Sequence, residues 1–382
     1  MKPQPLLFVD SAAAMGGAEQ SLLLLLTHLD RVQWQPQLAC AAAPLAEKAA
    51  AVGIPVHPLT FPPLRRSWRF PADWIRHART LSHLAQKTEA QALIANNIRA
   101  ALYTAVAAKL ARRPFIWHMR DFWLGESRPR HPQLDTLLKR LLCRAAAQII
   151  TNSHAVAAHL PCPNRISVVH NGLDLVHFTP PVPGAADFRG ALGLPETAVL
   201  VGMTGRLRPW KGQRPFLEMA RAVHARHTHA RFVIIGGSPF GVQDGYEAEL
   251  QEMVTRLGLR GLVHFTGHLP DVRPAVGALD IFVHPGAPEP FGLVNIEAMA
   301  LGKPVVAFAH GALPEIVLPG ETGLLVPPGD TAALATAVGS LITAPARRAA
   351  LGRAGRQRAA DHFSIQQTAA GVSTVLATVV RR

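Results

Sequence analysis

Glu289 and Glu297 stand eight residues apart in the stretch EPFGLVNIE, in a chain with only 25 acidic residues among 382. Paired carboxylates first suggest glycoside hydrolysis, where the two groups lie roughly 5 to 9.5 Å apart. Here LDIFVHPG reads as a buried strand and NIEAMALG as a helix ending at Gly302. Pro290 suits the first helical position, with Glu289 just before it. Eight residues of helix rise about 12 Å, too far for a hydrolase pair unless the turn folds back sharply. That spacing suits a ligand with hydroxyls at both ends and phosphates between. The amides of Phe291, Gly292, Leu293 and Val294 then fall in a first helical turn, where orphan donors favour an anion. The plainer alternative is a capping acid followed by a solvated helix acid.

Upstream, VLVGMTGRLRPWKGQRPFLEMA reads as a strand, a glycine turn holding Arg206, and Lys211–Gly212 before a helix. Two cations at a strand mouth can neutralise a diphosphate, Arg206 as a fork and Lys211 as a compact charge. The alternative is two surface cations. The chain has no DxD motif, no HExxH and no paired ligand spacing among its 18 histidines. Charge developing on a departing diphosphate would therefore be met by protein groups, and no metal or cofactor is expected. No GxGxxG follows the first strand, which argues against a nicotinamide enzyme.

The elements that must position these residues are strands alternating with longer helical patterns, as in βαβ units and parallel sheets. PLLFVD, ALIAN, FIWHM and QIITNS are strands of the first half, with Gly16–Gly17 turning into the helical AEQSLLLLLTHL. VVHNGLDLVHFTPPVPG breaks the rhythm and places a domain boundary around 172–184. AVLVGMTGRL, ARFVIIGGSP, GLVHFTGHL, LDIFVHPG and KPVVAFAHG then each run a strand into a glycine turn. The pattern predicts an α/β protein of two doubly wound domains with a cleft between them, ligands lying beyond the carboxyl ends of the strands.

Composition bounds the rest. Apolar residues make up 49% of the chain, enough for two sizeable cores. Its three cysteines, Cys40, Cys143 and Cys162, form no CxxC and no even framework, which predicts a reducing compartment and no structural zinc. Only a four-residue apolar run, Leu6 to Val9, precedes Asp10, and no stretch is long enough to cross a bilayer, so neither a signal peptide nor a membrane span is expected. Residues 1–170 hold 20 Lys and Arg against 9 Asp and Glu, a net of +11 of the total +14. Such a field fits nucleic acid, an anionic membrane or an acidic acceptor.

The combination of GRLRPWKG, FVIIGGSP, VHFTGHL, FVHPGAPEPFGLVNIEAMALGKPVVAFAHGALPEIV and GLLVPPGD, in this order, resembles the Glu-x7-Glu retaining glycosyltransferases of GT-B fold. MGGAEQSL resembles that family's glycine loop. The resemblance covers nearly the whole chain. It implies two Rossmann-like domains facing a central cleft, 1–175 for the acceptor and 176–363 for a nucleotide-sugar donor, with a C-terminal helix at 364–382 packed back on the first. It also implies that Arg206 and Lys211 hold the diphosphate, Glu297 the ribose and Glu289 the donor sugar. Amides of Phe291, Gly292, Leu293 and Val294 would complete that site, with Gly16 and Gly17 over the phosphates and the backbone of His268 and Leu269 at the base. A strand-end histidine, His118 in FIWHMRDF, would stand near the reacting carbon. Many relatives follow it directly with aspartate, whereas Met119 and Arg120 intervene here before Asp121, which is held in reserve. A strand-end histidine read alone is as well explained as a structural hydrogen-bonder.

The implied reaction moves a sugar to a glycan or lipid-linked acceptor in cell-surface polysaccharide or glycolipid synthesis. The alternatives are a nucleotide-sugar epimerase, a glycogen-type synthase, or a non-catalytic anion- or nucleic-acid-binding protein. FPPLRRSWRFPADWIRHARTLSHLAQK (61–87) adds basic and aromatic density. Its helical pattern puts Trp74, Ile75, Ala78, Leu81, Leu84 and Ala85 on one face, and Arg76, Arg79, His83 and Lys87 on another. It reads either as an ordinary surface helix or as a membrane-facing element. The second reading predicts a cytoplasmic protein peripheral on the inner face of the membrane, with no nucleic-acid partner.

Overall fold

A computed structural model describes residues 2–41, 44–62, 70–122, 132–238 and 245–380. The chain forms two compact units, Met1–Gly172 with Ile365–Arg382, and Leu173–Ser364.

The first unit is a seven-stranded sheet with every pairing parallel. Its strands are β1 (Gln4–Val9), β2 (Trp34–Cys40), β3 (Val56–Pro58), β4 (Ala92–Ala95), β5 (Phe115–Met119), β6 (Gln148–Thr151) and β7 (Ile166–Val168). Between them run α1 (Gly17–His28), α2 (Pro44–Ala51), α3 (Phe70–Lys87), α4 (Ile98–Ala111), α5 (Pro132–Ala145) and α6 (His154–Ala157). The order is β3-β2-β1-β4-β5-β6-β7. Because helices cover both faces, the strands are apolar runs rather than alternating ones. Leu7, Val9, Leu93 and Trp117 belong to the core on one side, and Leu6, Phe8, Ile94 and Ile116 to the core on the other. The C-terminal helix Ile365–Val380 completes that second core with Val372 and Leu376. Trp34 Nε1 donates to Ser373 Oγ at 3.0 Å, and Thr368 Oγ1 to the His170 carbonyl at 2.8 Å.

The second unit is a six-stranded sheet ordered β10-β9-β8-β11-β12-β13, again all parallel. Its strands are β8 (Val199–Thr204), β9 (Ala230–Ile235), β10 (Val263–Phe265), β11 (Ile281–His284), β12 (Val305–Phe308) and β13 (Gly323–Val326). Its helices are α7 (Ala185–Ala191), α8 (Gln213–His224), α9 (Tyr246–Arg256), α10 (Arg273–Gly277), α11 (Leu293–Ala300), α12 (Leu313–Ile316), α13 (Thr331–Ile342) and α14 (Pro345–His362). In both sheets the first strand, β1 or β8, sits inside the order, so the chain winds outward on both sides of it. That reversal opens a crevice at the strands' carboxyl ends. The doubly wound α/β architecture read from the sequence is present in each unit.

Two expectations need correction. On α3, Ala78, Leu81 and Ala85 are buried, and Trp74 and Leu84 pack on the core, but Ile75 is 39% exposed. At 100° per residue Ile75 lies about 60° beyond Ala78, outside the covered arc. The cysteines are not all free. Cys143 on α5 is joined to Cys162, and only Cys40 is unpaired and buried. The spacing of 19 residues hid this pair, because the fold and not the sequence brings the two together. The inference of a reducing compartment therefore loses its basis. Arg65, Arg66 and Arg69 lie outside the described residues.

Candidate functional site

In the second unit the turns after β8, β9, β10, β11 and β12 gather at the carboxyl edge. Leu207 N donates to the Gly237 carbonyl at 3.0 Å, and Gly236 and Gly267 pair as an isolated antiparallel bridge. A Cβ on Gly236 would lie 2.3 Å from the Gly205 oxygen, so a side chain there would break this shelf. His268 is exposed and Leu269 half-buried at its far side.

The turn carrying Lys211 is locked to the turn after β11. Ala287 N donates to the Trp210 carbonyl at 2.7 Å. Gly212, at φ +85°, lies so near Pro285 that a Cβ would fall 2.3 Å from its carbonyl oxygen. Only glycine combines that left-handed backbone with that approach. Buried Gln213 braces the same turn, its Nε2 donating to the Arg206 carbonyl at 2.9 Å. The Arg206 residue itself is exposed.

Lys211 reaches across to Glu289, Nζ to Oε1 at 2.5 Å, and His284 Nε2 lies 3.5 Å from the same oxygen. Burial would raise the Glu289 carboxyl, but the hydrogen bond from His284 and the charge of Lys211 outweigh it and hold it at about 2. This glutamate is ionised at any working pH and can only accept hydrogen bonds. His284, the last residue of β11 and 4% exposed, was not singled out in the sequence. Its signal was available: a polar ring ending the apolar run IFV one turn before the first glutamate.

The helix after Glu289 begins later than the sequence suggested. Gly292, at φ +87°, is its N-cap and Leu293 its first residue, so Pro290 precedes the helix. Leu293 and Val294 open the first turn, while Phe291 and Gly292 belong to the approach. Phe291 is buried, its ring 6.0 Å from that of Phe363. Asn295 folds back, with N and Nδ2 each donating to the Gly292 carbonyl at 3.0 Å. Glu297 follows on α11, half-buried, and burial raises its carboxyl to about 7. The two glutamates thus differ sharply: one a fixed carboxylate on a turn, the other a helix acid poised near neutrality.

In the first unit, Gly16 caps α1 and Gly17 begins it, with Glu19 Oε2 accepting from Gly16 N at 2.8 Å. His118 is the penultimate residue of β5, at 1% exposure. Arg120 lies against it, NH2 to Nδ1 at 3.3 Å, and also donates to Asn96 Oδ1 and Asn171 Oδ1, each at 2.6 Å. Asn96 Nδ2 in turn donates to Asp10 Oδ2 at 2.7 Å. A guanidinium only donates, so Nδ1 accepts and the ring proton sits on Nε2. Burial, helped by the Arg120 charge, pulls His118 well below its ordinary value and keeps it neutral. Its Nε2 is buried and has no hydrogen-bond partner among the described residues. Asp121 is exposed, with Oδ1 accepting from Phe122 N at 2.8 Å. The buried set of Asp10, Glu19, Asn96, Arg120 and Asn171 was missed, since its members lie far apart in the chain.

Residues 185–358 match the model of the glycosyl transferases group 1, and residues 15–177 that of glycosyltransferase family 4. The chain is 33% identical over 266 residues to the lipopolysaccharide core biosynthesis mannosyltransferase LpsB of Rhizobium meliloti, covering 69% of this chain and 73% of that one. It is 36% identical over 241 residues to a D-inositol 3-phosphate glycosyltransferase of Catenulispora acidiphila, over 60% of this chain and 56% of that one. Among solved structures, HepE of Anabaena in complex with UDP aligns over 98% of this chain and all of its own, with a TM-score of 0.86 and 28% identity. The same protein with UDP-glucose aligns over 98% and 99%, with a TM-score of 0.82 and 27% identity. With its two doubly wound units, the chain has the GT-B fold and belongs to the group 1 glycosyltransferases.

Proposed function

We propose that the protein transfers a hexosyl group, with retention and without a metal, from a nucleoside-diphosphate sugar to a glycan or lipid-linked acceptor of the cell surface. The observation that carries this reading is the Lys211–Glu289–His284 cluster at the carboxyl edge of the second sheet, with Arg206 exposed beside it. The mannosyltransferase relative acts in lipopolysaccharide core synthesis and HepE binds UDP-glucose, which supports the donor class and the theme. In this reading the diphosphate draws Lys211 from Glu289, and Glu289 then accepts from the sugar hydroxyls. The bond from the anomeric carbon to the diphosphate breaks, the acceptor hydroxyl attacks on the same face, and its proton passes to the departing phosphate oxygen. Neutral His118, with its proton on Nε2, is a hydrogen-bond donor here and not the base. The net positive charge on residues 1–170 supports a peripheral position at the inner face of the membrane, where anionic headgroups would attract it.

Release of nucleoside diphosphate only when an acceptor is present, undiminished by a chelator, tests this. Product from donor alone points to an epimerase. Salt-sensitive nucleic-acid binding without turnover points to a non-catalytic protein.

Two binding predictions follow from the unlike glutamates. Glu289→Ala should weaken binding of the intact donor, yet leave free nucleoside diphosphate bound as well or several-fold tighter, because Lys211 is released. Calorimetry showing equal losses for both ligands would refute the separation. Glu297 should bind ribose hydroxyls best as a carboxylate. Wild-type affinity for nucleoside diphosphate should thus rise with pH and level off above about 7, a step that Glu297→Gln lacks. The sign for stability is opposite. A carboxyl raised from 4.5 to about 7 on folding contributes stability below 4.5 that is lost as pH rises through about 7. The donor-free Gln variant should therefore melt higher than wild type above neutrality.

A further inference from the structure

We infer that α5 is the face by which the protein lies on an anionic lipid surface. This inference rests on the reading of a membrane-proximal acceptor and names the docking element. Alongside its core-facing residues, this helix leaves three leucines exposed while it buries an acid. Leu134, Leu137 and Leu141 are 52%, 52% and 49% exposed, while Asp135 is buried and paired with Lys139 at 3.2 Å. Single exposed leucines are ordinary, but these three recur at helical spacing and form one stripe. The helix cannot roll to cover them, because Leu142 and Cys143 are held in the core and Cys143 is tied to Cys162.

Charge selects the occupant. Arg140 and Arg144 are exposed on the row beside the leucines, and the first 170 residues carry a net +11. A second copy of the chain would bring like-charged arginine rows together, whereas anionic headgroups complement them while acyl chains take the leucines. The basic-aromatic stretch 61–87 is thus not needed as the docking element.

The test is cosedimentation of the full chain with vesicles of equal parts phosphatidylglycerol and phosphatidylcholine, against phosphatidylcholine alone, at low salt. Wild type should bind the anionic vesicles. Leu134→Ser with Leu137→Ser and Leu141→Ser should bind about a hundredfold more weakly, since each half-exposed leucine loses roughly half of its burial. It should melt no lower than wild type. Arg140→Ser with Arg144→Ser should weaken binding at low salt, a difference that vanishes as salt screens the headgroups. As an independent reading, Leu137→Trp should be quenched by brominated lipid. Unchanged binding by the serine variant, an unquenched Trp, or a wild-type dimer that the serine variant abolishes would each overturn the inference. Nucleoside diphosphate release on a soluble acceptor should be the same in the serine variant and wild type. Vesicle binding without any such release would fault the enzymatic reading and leave the docking face standing.

Discussion

Lys211→Ala is expected to lower turnover by roughly two to three orders of magnitude, the usual loss when one preorganised donor to a developing charge is removed. Arg206→Ala should match it. The two variants differ in what else they disturb. Lys211 is the charge partner of Glu289, so its removal leaves a largely buried carboxylate with only His284. A drop in melting temperature of a few degrees should accompany the loss, at about 2–4 °C per kcal/mol for a unit of this size. Arg206 is exposed, and its backbone carbonyl, held by Gln213, survives the substitution. Arg206→Ala should therefore melt with wild type and is the cleaner test. Rates should be taken at saturating donor, so that weakened binding does not mimic a slowed chemical step. Near-normal rates in both variants, or an absolute need for a divalent ion, would end the assignment of these cations to the leaving diphosphate.

Legibility in the sequence followed the range of the interactions involved. Buried strands of a parallel sheet are apolar runs ended by turn residues, and β1, β4, β5, β6, β8, β9, β10, β11 and β12 were visible on that ground alone. The glutamate spacing was visible too, but the helix start between them was misplaced. Proline favours a first helical position in general, and here the left-handed Gly292 sets the cap three residues nearer the helix start Leu293. What depends on chain crossings was not visible. His284 acquires meaning only once the turn after β11 is locked against Trp210 and Lys211. Which face of a helix is covered is also a tertiary fact. The pattern of α3 misplaced Ile75, and that of α5 drew no notice, because an apolar stripe reads the same whether it faces a core or the outside.

Arg120→Met should be the most destabilising of the substitutions considered, by about 3–5 kcal/mol, because it breaks a buried ionic arrangement by removing one side of it. Methionine keeps the volume, so the loss is electrostatic rather than a cavity. Arg120 is 5% exposed, and its guanidinium links Asn96, Asn171 and His118 while its charge offsets Asp10 and Glu19. Burial alone would bring the guanidinium far down; with those acids pulling it back up it stands at about 9. The pH dependence fixes the cause. Burial raises both Asp10 and Glu19, and Arg120 is among the influences lowering each. An acid whose folded pKa is raised contributes stability below its unfolded value and loses it as pH rises through the folded one. Without Arg120 both folded values climb further, so the deficit against wild type should be smallest in acid, where both carboxyls are protonated folded and unfolded, and should grow as pH rises. Turnover should fall as well, since nothing then holds the His118 proton on Nε2. Arg120→Lys restores the charge but not the three-way contact, and should recover stability more than rate. A melting deficit that stays constant with pH, or Arg120→Met melting together with wild type at neutral pH, would show that the cluster is held by packing and not by this charge.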